Sequence, residues 1–524
     1  MTVGPRTGAQ VTLEALLASG VDVCFANPGT TEIEVVAALS RVPAMRSILG
    51  LFEGVVTGAA DGYGRMAGHP AATLLHLGPG LGNGLANLHN ARRARTPIVN
   101  LVGDHASHHQ RYDAPLQSDI ESLARPVSGW YQRTSRREDL ARDAAAAVVA
   151  AQGPPGAVST LVVPADLWWS TSPEVELVPR VAPKPLSEVG DEAVAEVEAA
   201  LRSGGPAALL MGAGANCEPA LRAASRVAAA TGARLLGETF SARLERGGGL
   251  PELERVAYLG EFATAQLQGL RTLVLVEARA PVSFFAYPER PSLLAPEGCR
   301  VVSLSQPGQD SVAALLELCE RLHAGALGLP PPVVTRGARP TGAIDVTTFA
   351  AAVAAVLPEG AIVSDEANTS GTMLLGATAS APRHDWLSLT GGAIGQGLPV
   401  ATGAAVACPD RPVLCLEADG SAMYTLQALW TQARESLNVT TVLLNNGSYA
   451  ILEFELNRLA SAAGGGGARQ LLSLAGPALD WVALARGLGV AASRATTAEE
   501  LTGQLSRAMT EPGPALIEAV LHGA

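Results

Sequence analysis

Two apolar runs in the last third of the chain end on oxygen-bearing side chains, and nothing else in the sequence restricts the fold as strongly. The first run closes on Ala418-Asp419-Gly420-Ser421, the next on Asn445-Asn446-Gly447-Ser448-Tyr449. An Asp just after one strand and an Asn at the end of the next can converge on one hard cation. Mg²⁺ takes near-octahedral oxygen ligands, usually a carboxylate or two with waters and phosphate oxygens. Asp419 and the Asn446 amide oxygen supply two such ligands, and the backbone carbonyl of Ser448 is placed to supply a third. Gly420 lets the backbone approach a phosphate, to which Ser421 can donate. The competing reading is a strand–turn–helix with a surface Asp and a turn-forming Asn-Asn-Gly.

Apolar runs alternate with Ala-rich helical patterns throughout, which predicts an α/β chain of doubly wound parallel sheets covered on both faces. For 524 residues the length prior is about three domains. Pro-rich linkers at Ser170–Leu186 and Gly328–Gly342 divide the chain into residues 1–170, 187–328 and 342–524. Only 16 % of residues are charged against 48 % apolar, so much of the chain must be buried, some of it between subunits. A net charge of −12 argues against a nucleic-acid partner. No apolar run is long enough to cross a membrane and no signal peptide is evident, so a cytoplasmic location is expected. The six cysteines show no metal spacing, and Cys24 and Cys415 read as core residues of strands.

Residues 49–65 read Leu-Gly-Leu-Phe-Glu-Gly-Val-Val-Thr-Gly-Ala-Ala-Asp-Gly-Tyr-Gly-Arg, placing Glu53 in a helix of small and apolar residues. On its own Glu53 could be a salt-bridged core residue. With the Asp419/Asn446 pattern, the chain resembles thiamin-diphosphate enzymes of the decarboxylase and acetohydroxyacid synthase superfamily along essentially its whole length. It is similar to benzoylformate decarboxylase and to the acetohydroxyacid synthase catalytic subunit. Those enzymes carry Gly-Asp-Gly followed by Asn-Asn; here Ala418 replaces the first Gly. The resemblance implies pyrimidine-binding, middle and diphosphate-binding domains, thiamin diphosphate and Mg²⁺ as cofactors, and Glu53 as the carboxylate that activates the cofactor through N1′ of its aminopyrimidine.

The same resemblance assigns further residues. His76, in Leu75-His76-Leu77-Gly78-Pro79-Gly80, matches an active-site His of benzoylformate decarboxylase, and Thr30 ends an Asn-Pro-Gly-Thr that relatives write Asn-Pro-Gly-Ser. In the segment Thr390–Pro399, Ile394 takes the place of the apolar wedge between the cofactor rings, and the Gly392 carbonyl that of the acceptor for the 4′-amino group. Asn368 and Thr369 sit where relatives bind the diphosphate, with Gly420, Ser421 and Tyr449. His105 falls where acetohydroxyacid synthases place an active-site Gln and is expected to act as an acid or base beside the cofactor. With His108 and His109 it could instead form a weak metal site or a polar loop. Ala286 stands where benzoylformate decarboxylase has a catalytic His, so one proton shuttle is missing. Leu452 and Glu455 fall at pocket-facing positions. A carboxylate at 455 would favour a hydroxylated or cationic substrate; a register error of one residue would leave it in solvent. The Gly-rich stretch Ala460–Ala468 suits a mobile lid. FAD is not expected, because the Gly-rich stretches at 78–84 and 212–215 lack the dinucleotide spacing and Ala280–Pro288 lacks the flavin-contacting residues.

The reaction these features imply is thiamin-diphosphate- and Mg²⁺-dependent decarboxylation of a small 2-oxo acid with carboligation to a carbonyl acceptor, as in acetolactate synthase. Simple decarboxylation, or lyase cleavage of a 2-hydroxy ketone or 2-hydroxyacyl thioester, is the alternative. A reading of another class is a catalytically silent, cofactor-binding partner subunit, against which retention of Glu53 argues. The family also implies a homodimer or homotetramer whose active sites draw on two subunits.

Overall fold

The computed structural model describes residues 6–172, 182–459 and 466–522. The first sheet contains β1 (Val23–Asn27), β2 (Arg46–Leu49), β3 (Ala71–Leu75), β4 (Ile98–Asp104), β5 (Trp130–Arg133) and β6 (Val158–Pro164), in the order β2-β1-β3-β4-β6-β5. Every pairing is parallel. Its central strands are buried along their whole length, as strands covered by helices on both faces must be. Two helices leave the carboxyl ends of this sheet: α1 (Glu53–Ala67) after β2, and α2 (Leu77–Ala94) after β3. The glycines at 78–84 therefore form the opening turns of α2.

A second parallel sheet holds β7 (Ala207–Met211), β8 (Arg234–Gly237), β9 (Glu254–Arg255), β10 (Thr272–Val276) and β11 (Arg300–Ser305), in the order β9-β8-β7-β10-β11. A third parallel set follows: β12 (Ile362–Glu366), β13 (Val413–Ala418), β14 (Val439–Asn445), β15 (Ala491–Ala495) and β16 (Ala515–Val520). These run in the order β12-β13-β14-β16-β15. Helices α3 (Gly397–Ala407), α4 (Asp419–Thr425) and α5 (Ala450–Leu459) accompany this set.

The chain forms two compact units. One comprises 1–183, 337–377 and 389–524; the other comprises 184–336 and 378–388. The piece 378–388, which the sequence reading assigned to the third block, falls in the same compact unit as 184–336, where His384–Trp386 pairs antiparallel with Leu244–Arg246. The expected lid at Ala460–Ala468 lies partly outside the described residues; from Gly466 the chain is already in a short helix to Gln470.

Within the first unit, α1 and α3 cross backbone against backbone. A Cβ on Gly62 would collide with the Val400 carbonyl, and one on Gly403 with the Ala59 carbonyl. A buried ion pair ties the same elements together. Arg65 forks onto Asp61 at 2.9 and 2.6 Å and also reaches Thr390 at 3.0 Å and Gln396 at 3.3 Å. A buried pair of this geometry is costly to break from one side, by roughly 3–5 kcal/mol. It fixes α1, which begins at Glu53, to the segment that leads into α3.

Candidate active site

β13 and β14 are adjacent and parallel, so their carboxyl ends deliver Asp419 and Asn446 to neighbouring positions. Asp419 is 3 % exposed. One of its oxygens accepts the Gly420 N–H and the other the Gly447 N–H, each at 2.8 Å. Burial pushes its carboxyl above the usual carboxylate range, against these backbone donors. A cation would remove that cost, and the lone pairs left on Asp419 and on the Asn446 Oδ1, which accepts the Ser448 N–H at 3.0 Å, form an all-oxygen donor set. Ala418 has φ −81°, so this position needs no glycine and the Gly-to-Ala replacement carries no backbone penalty. Gly420 packs beneath the Tyr449 ring, where a Cβ would press against the ring at 2.5 Å. Ser421 Oγ accepts from Asn368 Nδ2 at 2.9 Å, joining two of the expected diphosphate residues; Asn368 itself is in the left-handed region at φ 49°. Thr369 is half-buried in the same turn, Asn368–Gly371.

Glu53 is the first residue of α1 and is 7 % exposed. Its Oε2 accepts from Asn83 Nδ2 at 3.0 Å, and Gly80 leaves room for the other oxygen, since a Cβ there would lie 3.1 Å from Oε1. Asn87, one turn on from Asn83 in α2, donates to the Gly54 carbonyl at 2.8 Å and to the Gly395 carbonyl at 3.2 Å. The start of α1 and the 391–397 segment are thereby joined. Gly392 and Gly395 have φ 75° and 92°, a left-handed path that suits glycine, and Ile394 between them is half-buried. Glu366 is fully enclosed under this segment and accepts the N–H groups of Gly395 and Gly397 at 2.8 and 2.5 Å. Burial pushes its carboxyl up to about 7.

His76 caps the amino end of α2, beside Leu77 at φ 54°. Its Nδ1 lies 2.8 Å from Glu32 Oε2 and 3.2 Å from Thr31 Oγ1. The hydrogen bond to Glu32, working against burial, raises the proton affinity of His76; the charges of Glu32 and Glu53 add to it. Thr30 is exposed at the start of the 3₁₀ turn Thr30–Glu32. His105 follows β4 and is half-buried; its Nε2 is enclosed without a hydrogen-bond partner, and its ring lies 5.5 Å from that of His109. His108 and His109 are exposed, and among the described residues no group of three His, Cys, Asp or Glu gathers to hold a metal ion. On α5, Leu452 is exposed and Glu455 is mostly covered, paired with Arg458 at 3.4 Å, so its charge is partly balanced within the helix. Ala286 is exposed in a loop of the second unit.

The sequence profile described as "Thiamine pyrophosphate enzyme, N-terminal TPP binding domain" matches residues 6–124, and "Thiamine pyrophosphate enzyme, C-terminal TPP binding domain" matches residues 369–519. A Mycobacterium tuberculosis protein named for an acetolactate synthase large subunit (IlvX) is 54 % identical over 516 residues, covering 98 % of this chain and 99 % of that one. The chain belongs to the thiamine pyrophosphate enzyme family. Benzoylformate decarboxylase of Pseudomonas aeruginosa is 29 % identical, with 98 % of each chain covered. The solved Rhodococcus jostii thiamine diphosphate-dependent 4-hydroxybenzoylformate decarboxylase superposes with a TM-score of 0.85 at 25 % identity, over 98 % of this chain and 99 % of that one.

For this thiamine pyrophosphate enzyme, Asp419, Asn446 and Glu53 were legible from motif spacing. Glu32, Asn83 and Asn87 were not. Their partners lie 44, 30 and 308 residues away, for Asn87 on the Gly395 side, and no periodicity announces such pairs. Glu32 alone left a trace, an acidic residue in a turn leading into the apolar helix Ile33–Leu39.

Proposed function

We propose that this chain uses thiamin diphosphate and Mg²⁺ to decarboxylate a small 2-oxo acid and to join the remaining acyl fragment to a second carbonyl compound. Asp419, the Asn446 amide oxygen and the Ser448 carbonyl hold Mg²⁺. Asn368, Thr369, Gly420, Ser421 and Tyr449 border the diphosphate, while Gly392 and Ile394 support the pyrimidine and thiazolium rings. When bound, the cofactor supplies an electron sink that lets the carboxyl group of the substrate leave as CO₂. Glu53, kept in place by Asn83, holds a proton at its carboxylate against the pyrimidine ring. His76 exchanges a proton at Nε2 with the substrate, Thr30 and His105 line the same space, and Leu452 and Glu455 face the substrate side chain. The enzyme works without a flavin, and its sites are assembled in a homodimer or homotetramer.

The observation that carries the reaction is the enclosed Glu53 on α1, linked through Asn87 to the Gly395 segment that also touches Thr425 of α4 at 2.9 Å. The ligating outcome rests on the relative named for acetolactate synthase. His76 paired with Glu32 favours a second outcome, protonation to an aldehyde, because a proton donor is built beside the site.

The test is CO₂ release from a panel of 2-oxo acids by the chain reconstituted with thiamin diphosphate and Mg²⁺, with products weighed by mass spectrometry. Release from one acid, a product heavier than the acid's aldehyde, and a loss of about 10²–10⁴-fold in Glu53→Gln are expected. An aldehyde product would establish the second outcome instead. No release from any acid would sink both.

A further inference from the structure

We propose that Glu32 is a positioning residue for His76: it fixes the imidazole with the proton on Nδ1, so that Nε2 is the nitrogen that exchanges protons with substrate. This rests on the reading of His76 as an acid–base group given above.

Glu32 has no solvent exposure. An enclosed carboxylate is costly unless donors surround it. Three do: the Gly29 N–H at 2.8 Å, the Thr31 hydroxyl, and His76 Nδ1 at 2.8 Å. The Gly29 N–H can only donate, and an ionised carboxylate can only accept, so beside it Nδ1 presents a hydrogen. Two glycines clear the space. A Cβ on Gly103, near the end of β4, would collide with Glu32 Oε1, and a Cβ on Gly29 would collide with the His76 ring. Residues of the turn, the start of α2 and the end of β4 thus converge on this pair. The His76 side chain keeps 22 % of its surface, so the ring is held on one edge and open on another. The charged groups facing it are Glu32 from the turn and Glu53 from α1, both negative, and both favour the protonated ring over the opposing effect of burial.

The consequence is a defined proton step. The protonated ring releases its proton from Nε2 to the substrate atom that has gained electron density, and the neutral ring keeps Nδ1–H on Glu32. The reverse transfer restores the imidazolium. Without Glu32 the neutral ring is free to carry its proton on either nitrogen, and its orientation is no longer fixed.

The experiment uses the full chain labelled with ¹⁵N-histidine, with and without thiamin diphosphate and Mg²⁺, and His76 assigned by the signal lost in His76→Ala. The wild-type neutral form is expected to be protonated at Nδ1; protonation at Nε2 would overturn the proposal with no variant needed. In Glu32→Gln, with thermal unfolding as the check on folding, the His76 midpoint is expected to fall and the alkaline limb of kcat to move to lower pH with it. An unmoved midpoint overturns the pairing. A lowered midpoint with His76→Ala as active as wild type overturns the positioning role. If wild type releases CO₂ from no 2-oxo acid, the proposed reaction fails, and the tautomer and midpoint still decide the pairing.

Discussion

Glu366 shows how a single residue can serve the site without touching a substrate. Its carboxyl is enclosed beneath the 391–397 segment and held up to about 7 by burial, with Glu417 beside it on the next strand. Because the folded-state value lies above the ordinary 4.5, the folded chain keeps a proton that the unfolded chain releases. The stability this group contributes is full below 4.5 and is lost as pH rises through about 7. Denaturant unfolding of the cofactor-free chain between pH 5 and 8 should therefore show stability falling with pH as the Glu366–Glu417 pair loses its proton, and Glu366→Gln should reduce that slope; an equal slope in the variant would remove the pair as its source. The residue also marks the limit of sequence reading. Glu53, Asp419 and Asn446 were recoverable because each stands at a fixed offset from a strand or helix boundary. Glu366 was visible only as a neighbour of Asn368, since its partners are backbone N–H groups some thirty residues on that no side-chain pattern encodes.

At the scale of elements, the crossing of α1 and α3 decides where Glu53 sits. Both helices spend glycines at the contact, and the sequence already spelled this out in the small-residue runs at 54–64 and 397–405. What it did not reveal is that the two runs face each other, because packing partners are chosen by topology and not by local periodicity. Gly403→Ala tests the contact. In an isolated helix the change would stabilise by about 1 kcal/mol. Here the new methyl meets the Ala59 carbonyl and Tyr63 N–H, backbone atoms that cannot swing aside, and overpacking costs about 1–3 kcal/mol. The clash should win: the thermal midpoint falls, and turnover falls further than stability alone explains because α1 and its Glu53 are displaced. A variant as stable and active as wild type would mean that the helices separate freely.

The whole molecule poses the question of which chain completes which site. Around the candidate site the first unit leaves large apolar side chains in solvent: Leu51 beside Glu53, Met423 and Tyr424 on α4, and Leu452 and Phe454 on α5, with Tyr424 52 % exposed. In the proposed homodimer a second copy of the chain is the occupant that would cover these side chains. If each site pairs Glu53 of one protomer with the Asp419 end of its partner, two inactive variants should rescue each other. Glu53→Gln and Asp419→Asn are each expected to be inactive alone. Unfolded together and refolded at equal concentration, they should recover about a quarter of wild-type turnover, because random pairing makes half of the two-fold pairs mixed and each mixed pair carries one intact site of two. The contact from Asn87 to Gly395 within one chain sets the opposing expectation. Should that link mean that each chain completes its own site, every site in the mixture carries one lesion and no activity returns, whatever the oligomeric state. Mixed refolding therefore separates assembly across the interface from assembly within a chain, where a molecular mass alone would not.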